Sequence, residues 1–336
     1  MHILLIYRHP SMGFSIGKVF KTVENQLRKK AEVETLVMPS AGYMPRSLWK
    51  NIRAARNAVK SGNYDVVHIT GTEHYLIPFL KRHCKVVVTV HDLGFFTTQW
   101  PSVRAAWKYL LWIKTLKGAA HVTFISQKSW SEAERFVKFV HGQTSVVMNP
   151  VDPMFVPVPK EFNVQKPRLL HIGTMPNKNL KNIIIALQVF PCHLRIVGKI
   201  DGTIETLLKT YNIEYSCVSG LSDEQIQHEY AECDIVSFAS LYEGFGMPII
   251  EGQATGRVVV TSNLSPMNEV AGDGAVLVEP YSPESIRKGF EEALLRHEEY
   301  VEKGRENVKR FDVDSIVEQY IDVYKKVINH KNSIDL

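Results

Sequence analysis

A chain of 336 residues, 45% hydrophobic and 22% charged, has the length of two domains and the composition of a globular enzyme, not of a disordered or fibrous protein. No segment reaches the ~18 uncharged apolar residues of a spanning helix, and the opening MHILLIYRHP lacks the basic start and longer apolar run of a secretory signal. The net charge of +5 hides an asymmetry: residues 1–158 carry 21 Lys and Arg against 9 Asp and Glu, and residues 159–336 carry 19 against 26. Such a first half faces a membrane surface, a phosphate-bearing substrate or nucleic acid, or is an ordinary solvated surface. The base-reading motifs that nucleic acid would require are absent. Cys84, Cys192, Cys217 and Cys233 have no metal-site spacing and read as buried, reduced thiols.

In chain order, strand-length apolar runs fall at 2–7 (HILLIY), 33–39, 64–70, 85–90 (KVVVTV), 120–126 and 144–148. Stretches of helical period separate them. The scheme then repeats at 168–173 (RLLHIG), 193–198, 214–219, 234–240 (DIVSFAS), 257–262 and 275–280. Continuous Val and Ile runs alternating with helices predict parallel sheets covered on both faces, here two doubly wound α/β domains. The segment 149–167 holds five prolines and no period; it is the expected linker, with the first domain at 1–158 and the second from 159 to 315. Ser222 with Gln225 predicts a capping box, and Ser282–Pro283 a second helix start. From Ser282 onward two helical patterns meet near 310–315. The last presents Ile316, Val317, Tyr320, Ile321, Val323, Tyr324 and Val327 as an apolar stripe that must dock.

Ligands of open parallel sheets bind beyond the carboxyl ends of the strands, so the loops there are the candidates. After DIVSFAS comes LYEGFGMPIIE, which sets Glu243 and Glu251 around two glycines and a proline. Gly244 and Gly246 allow close backbone approach to a ligand, and Pro248 suits the first helical position. Glu251 then falls in a first helical turn, where the helix N-terminus favours its ionised form. Two ionised carboxylates suit sugar or ribose hydroxyls; an acid catalyst would need a raised pKa, and nothing local predicts one. After RLLHIG, Lys178 beside a helix start forms an anion site. After HILLIY, Gly13 and Gly17 make a flexible turn that matches neither nucleotide-binding fingerprint. His91 follows KVVVTV, and His74 lies after 64–70; either can be a base or a hydroxyl ligand. Asp312-Val-Asp314 has the D-x-D form of a metal motif, but its place at a helix start reads as capping.

These residues carry a family. EGFGMPIIE resembles the E-x7-E motif of retaining GT-B glycosyltransferases, specifically glycosyltransferase family 4. HIGTMPNKNL is similar to that family's phosphate-binding segment, and TVHD and SVVMNPVD to landmarks of its first domain. The resemblance runs from the first strand to the last helix. It implies two Rossmann-like domains facing across a cleft, with the final helix, 316–336, crossing back onto the first. The second domain would bind a nucleotide-sugar. Glu251 would hold the ribose, and Glu243 would contact the donor sugar with the backbone of Gly244, Phe245, Gly246 and Met247 beside it. Lys178, with Gly173 and Thr174, would meet the diphosphate. Gly13 and Gly17 would approach it from the first domain, His91 would stand near the reacting sugar, and the base would rest near Val218–Leu221. The family often pairs its lysine with an arginine. Here Thr174 and Asn177 stand in that neighbourhood, which leaves Lys178 to act with backbone dipoles and Lys199.

The implied reaction is metal-independent, cofactor-free transfer of a glycosyl group to an acceptor hydroxyl, with retention. The implied acceptor is a glycan, a lipid-linked or another anionic molecule, and the implied place is the cytoplasm or the inner face of the cell membrane. Trp49, Trp107, Tyr109 and Trp112 interleave with cations in a manner suited to anionic lipid, or to an aromatic core under a basic solvent face. A nucleotide-sugar epimerase and a non-catalytic sugar-nucleotide-binding subunit are the alternatives.

Overall fold

The computed structural model describes residues 1–13, 15–94 and 103–329. Its contacts divide the chain into two compact units, Met1–Pro150 joined by the chain from Val313 onward, and Val151–Asp312. The first contains 24 Lys and Arg against 12 Asp and Glu, and the second 16 against 23. The charge asymmetry therefore follows the physical division, at +12 and −7.

The first unit is built on β1 (His2–Tyr7), β2 (Glu32–Val37), β3 (Val66–Ile69), β4 (Val86–Val90), β5 (His121–Phe124) and β6 (Thr144–Val146). They form a parallel sheet in the order β2-β1-β3-β4-β5-β6. β3, β4 and β5 are buried along their whole length, as Val-rich strands covered on both faces must be. The winding reverses between β1 and β3. The apolar stripe of the last helix, Val313–Asn329, docks on this unit: Ile316, Val317, Tyr320, Ile321, Val323, Tyr324 and Val327 share a core with Ile3, Leu5, Phe20 and Val87. The Tyr324 hydroxyl meets Nδ1 of buried His68 at 2.7 Å. Residues 330–336 of the expected helix lie outside the described residues.

The second unit holds β7 (Arg168–Ile172), β8 (His193–Val197), β9 (Tyr215–Val218), β10 (Ile235–Phe238), β11 (Val258–Ser262) and β12 (Val276–Val278). Their order is β12-β11-β10-β7-β8-β9, all parallel. This is the dinucleotide-fold order, and its reversal lies between β7 and β10. From Val151 onward the proline-rich stretch belongs to this unit, so the division falls at Pro150 and not at 158. Phe155 packs edge-on against Tyr230 at 5.3 Å, and Lys160 pairs with buried Asp234.

Several local expectations are corrected. The chain from Ser282 to Asp312 carries two helices, Pro283–Leu295 and His297–Val308, so three helices, not two, fill the expected terminal region. Arg296 between them has φ −124° and ψ 26°, which breaks the helical path. Gly17 lies inside the helix Ser15–Leu27 and not in a loop; Gly13, at φ 113°, is the turn residue. The cysteines are free, but Cys217 is exposed because it sits on the edge strand β9. Among the described residues no helix is long and apolar enough to cross a membrane.

Candidate active site

The reversal between β7 and β10 brings two loops together in the second unit. From the β7 side, Gly173 turns the chain at φ 92°. A Cβ there would stand 3.1 Å from Cγ of Lys178, so the glycine leaves room for the lysine stem. Pro176–Lys178 forms one 3-10 turn, and Asn179 follows in the left-handed region at φ 64°, a conformation asparagine tolerates better than most residues. Asn179 Nδ2 donates to the carbonyls of Ala239 and Pro280, which anchors the turn.

From the β10 side comes Glu243. Its Oε1 accepts from Lys178 Nζ at 2.6 Å, with both side chains half-buried. Asn177 is the staple between the loops: its Nδ2 donates to the Tyr242 carbonyl at 2.9 Å, and its own carbonyl accepts from the Leu241 N–H. The loops that carry the cation and the carboxylate are therefore joined across the sheet's switch point by one side-chain and one backbone bond of Asn177, besides the attraction of the pair itself. Lys178 also stands 5.1 Å above the Phe238 ring. Beneath it, buried His171 gives Nδ1–H to the Ser237 carbonyl, and burial with the nearby lysine charge lowers its pKa to about 4.

Gly246, at φ 118°, caps the helix Met247–Thr255, with Pro248 at its second position. Glu251 thus lies in the second turn, not the first. Its environment is set by a neighbour: the hydroxyl of fully buried Tyr230 donates to Glu251 Oε2 at 2.6 Å. Burial and the Glu251 charge hold that phenol well above its usual range, so it remains a donor. Phe245 is buried edge-on against Phe311 and anchors the loop from below. On the other side of β7, Thr174 Oγ1 donates to the Lys199 carbonyl at 2.7 Å and ties the β7 and β8 loops together. Lys199 is exposed after β8, and Val218 ends β9 with residues 219–221 following it. Glu243, Lys178, Lys199 and Val218–Leu221 therefore leave neighbouring strands in the order β10-β7-β8-β9. The role of Tyr230 was not legible, because the helix Asp223–Glu232 must pack beside Glu251 before the phenol has a partner.

In the first unit, His91 Nε2–H donates to the Thr70 carbonyl at 2.9 Å, and burial lowers the pKa of the ring to about 4. Neutral His91 keeps its lone pair on Nδ1. His74 is also neutral, about 4 by burial; its Nδ1–H donates to the Trp112 carbonyl and its Nε2 is buried without a partner. Both rings line a cavity of about 210 Å³ with Gly71, Thr72, Asp92 and Trp112. Trp49 and Trp107 are exposed, whereas Tyr109 and Trp112 pack against the core. Asp314 accepts from Lys30 and Gln26 at the start of the last helix. Among the described residues no group of three His, Cys, Asp or Glu is placed to hold a metal.

Residues 157–311 match the family model for glycosyl transferases group 1, and residues 19–155 that for Glycosyltransferase Family 4. The chain is 26% identical to O-antigen chain mannosyltransferase B of Escherichia coli, over 93% of this chain and 89% of that protein. It is also 26% identical to the MMP alpha-(1->4)-mannosyltransferase of Mycolicibacterium hassiacum, over 96% and 84%. Sucrose-phosphate synthase from Thermosynechococcus elongatus has the same fold, with a TM-score of 0.81 at 18% identity, over 98% of this chain and 100% of that one. So does the Anabaena protein HepE, solved with UDP-glucose: TM-score 0.76, 16% identity, 97% and 100% covered.

Proposed function

This chain belongs to glycosyltransferase family 4, the group 1 glycosyl transferases, with the GT-B fold, and we propose that it moves a hexosyl group from a nucleotide-sugar to an acceptor hydroxyl with retention of configuration. The observation that carries this reading is the Lys178–Glu243 pair stapled across the β7/β10 switch point. Each partner neutralises the other until a donor arrives. The diphosphate then takes the ammonium, and a sugar hydroxyl donates to the carboxylate. Glu251, oriented by Tyr230, accepts from the ribose hydroxyls.

As the glycosidic bond breaks, charge gathers on the departing diphosphate. A preorganised ammonium stabilises it without reorganisation, so no metal is needed for that task. The acceptor attacks from the face the diphosphate leaves, and the leaving phosphate takes its proton. A UDP-, GDP- and ADP-sugar panel in thermal-shift and transfer assays tests the reading. The expected outcome is stabilisation by one donor class, EDTA-insensitive transfer and a product of unchanged anomeric configuration. Glu251→Gln that binds and transfers like wild type would reject it, and a glycosyl-enzyme trapped on any carboxylate would overturn the retention mechanism.

The acceptor side is proposed to be a glycan or lipid-linked molecule of polysaccharide or glycolipid assembly, met at the inner face of the cell membrane. The +12 charge of the first unit supports this. So do two exposed stripes. On the helix Pro45–Ser61, Trp49, Arg53, Arg56 and Lys60 face solvent, with Arg53 5.4 Å over Trp49. Trp107, Leu110, Lys114 and Lys117 form the second. Such faces lie on anionic lipid. Failure of the intact protein to bind phosphatidylglycerol vesicles would reject membrane attachment.

A further inference from the structure

The loop after β1 is a tight turn. Met12 N–H donates to the His9 carbonyl at 3.0 Å, Gly13 N–H to the Pro10 carbonyl at 3.4 Å, and Ser11 N–H to Nδ1 of His9 at 3.3 Å. From the strand end, Arg8 Nη2 donates to the Gly13 carbonyl at 2.8 Å and closes the turn. A Cβ on Gly13 would stand 3.1 Å from that Nη2, so the glycine, at φ 113°, lets the guanidinium lie against the backbone. A guanidinium presents five N–H donors, and here Nε is buried without a hydrogen-bond partner.

A competing acceptor lies across Gly71. Glu73, in the loop after β3, is 1% exposed, and its Oε2 is buried without a partner. The Cβ that Gly71 lacks would stand 2.8 Å from that oxygen, 3.5 Å from Cβ of Arg8 and 3.7 Å from its Cδ. One missing side chain therefore separates the arginine stem from the carboxyl group. Buried polar groups are almost always satisfied, and an ionised carboxylate in a dry place is costly unless a cation pairs with it. An orphaned guanidinium nitrogen and an orphaned carboxyl oxygen on either side of one glycine are the halves of an ion pair that stays open while Arg8 holds Gly13.

We infer that Arg8 is a positioning residue with two stations: on the Gly13 carbonyl it holds the loop 9–13 in place, and on ionised Glu73 it releases that loop. The loop stands at the reversal between β1 and β3, where such sheets take their ligands, so the latch governs access there. Burial raises the Glu73 carboxyl to about 7, opposed by Arg8. The other titratable or charged groups facing the pair are Tyr43 after β2, His74 and Tyr75 beside Glu73, His91 and Asp92 after β4, and Lys108 on the cavity wall. His74 and His91 are lowered to about 4, Tyr43 is raised to about 12 and Tyr75 is raised as well, and Glu73 lies between them. As pH rises, Glu73 ionises, draws Arg8 and frees the Gly13 carbonyl. His9 in the loop works the opposite way, because loss of its proton makes Nδ1 an acceptor for Ser11 N–H.

The test is amide hydrogen exchange of the full chain at pH 6 and pH 8, corrected for the pH dependence of the chemical rate and read by mass spectrometry in the peptide that spans Ser11, Met12 and Gly13. In wild type these amides should exchange about 10-fold faster at pH 8, the scale of one hydrogen bond to a charged group. Glu73→Gln cannot draw the arginine and should stay slow at both values. Arg8→Met should be fast at both, and Arg8→Lys should recover slow exchange at pH 6, which a purely space-filling role would not predict. Should Glu73→Gln fail to fold, the two wild-type measurements and Arg8→Met decide. Equal wild-type exchange at both pH values overturns the proposal. A rise that survives in Glu73→Gln, or slow exchange in Arg8→Met, does the same. No donor enters these measurements, so their failure leaves the transferase reading of the second unit untouched.

Discussion

Each sheet places a cation from one strand's loop near an acid from its neighbour's loop at the point where the winding reverses: Lys178 and Glu243 between β7 and β10, Arg8 and Glu73 between β1 and β3. The two pairs differ in contact and in water. Lys178 and Glu243 meet at 2.6 Å and are partly solvated, so each charge is matched and can be exchanged for a ligand's. Arg8 Nε and Glu73 Oε2 are buried and unsatisfied, and burial pushes Glu73 toward its neutral form. The difference teaches that equal placement on a doubly wound sheet does not give equal chemistry. A matched, partly solvated pair can exchange its partner for a charged diphosphate-sugar, whereas a dry pair carries a desolvation cost that shifts its protonation instead.

The strongest way to break this comparison is Lys178→Ala. It removes the charge proposed to meet the leaving diphosphate and strands Glu243 without its Lys178 partner. We expect kcat to fall about 10²- to 10³-fold, the scale of losing one preorganised stabiliser; initial rates with saturating donor check this, and a loss confined to KM would assign Lys178 to ground-state binding alone.

The next is pH. With the Glu73 carboxyl raised from 4.5 to about 7 in the fold, the unfolded chain releases this proton first. Its contribution to stability is therefore full below about pH 4.5 and lost as pH rises through about 7, roughly 3 kcal/mol at the limit. The buried histidines run the other way. His68, His74, His91 and His171 have folded values of about 3 to 4, and their contribution is present above about 6.5 and lost on acidification. Denaturant midpoints of wild type against Glu73→Gln isolate the Glu73 share, and parallel curves from pH 4 to pH 8 would remove it.

Glu251→Gln should cost the donor about 10- to 100-fold in affinity, since the neutral amide weakens a charge-assisted acceptor but leaves Tyr230 a partner. Calorimetry with the free nucleoside diphosphate reads it. The smallest effect is expected on the first unit's surface: Arg53→Gln should weaken binding to anionic vesicles about fivefold, on the order of 1 kcal/mol per charge near a membrane, without moving the thermal midpoint.

Much of the second unit's site was legible. Glu243, Lys178 and Glu251 follow strands that announce themselves by unbroken apolar runs, and their spacing is local. Glu251 was expected in the first turn, but Gly246 forms the cap and the helix starts at Met247, one residue before Pro248, which moves Glu251 into the second turn. In the first unit the candidates legible in the sequence were Gly13, Gly17, His74 and His91. Glu73, one letter from His74, was not singled out, because nothing local in GTEHY says that the residue will be 1% exposed. Tyr230 was likewise invisible as a site residue, and Asn177 stood beside Lys178 in the sequence without showing that it staples the Glu243 loop. Their partners lie 21 and 65 residues away.

What the amino-acid order determined by itself is the run of elements, the acidic loop with its permissive glycines, and the charge of each half. These depend on propensity, period and composition, which act over a few residues. Only the tertiary structure decided that β10 lies beside β7 and β3 beside β1, and hence which cation meets which acid and which pair stays dry. Pairing and dehydration are properties of long-range packing, set when whole sheets close and exclude water, and no short segment contains them.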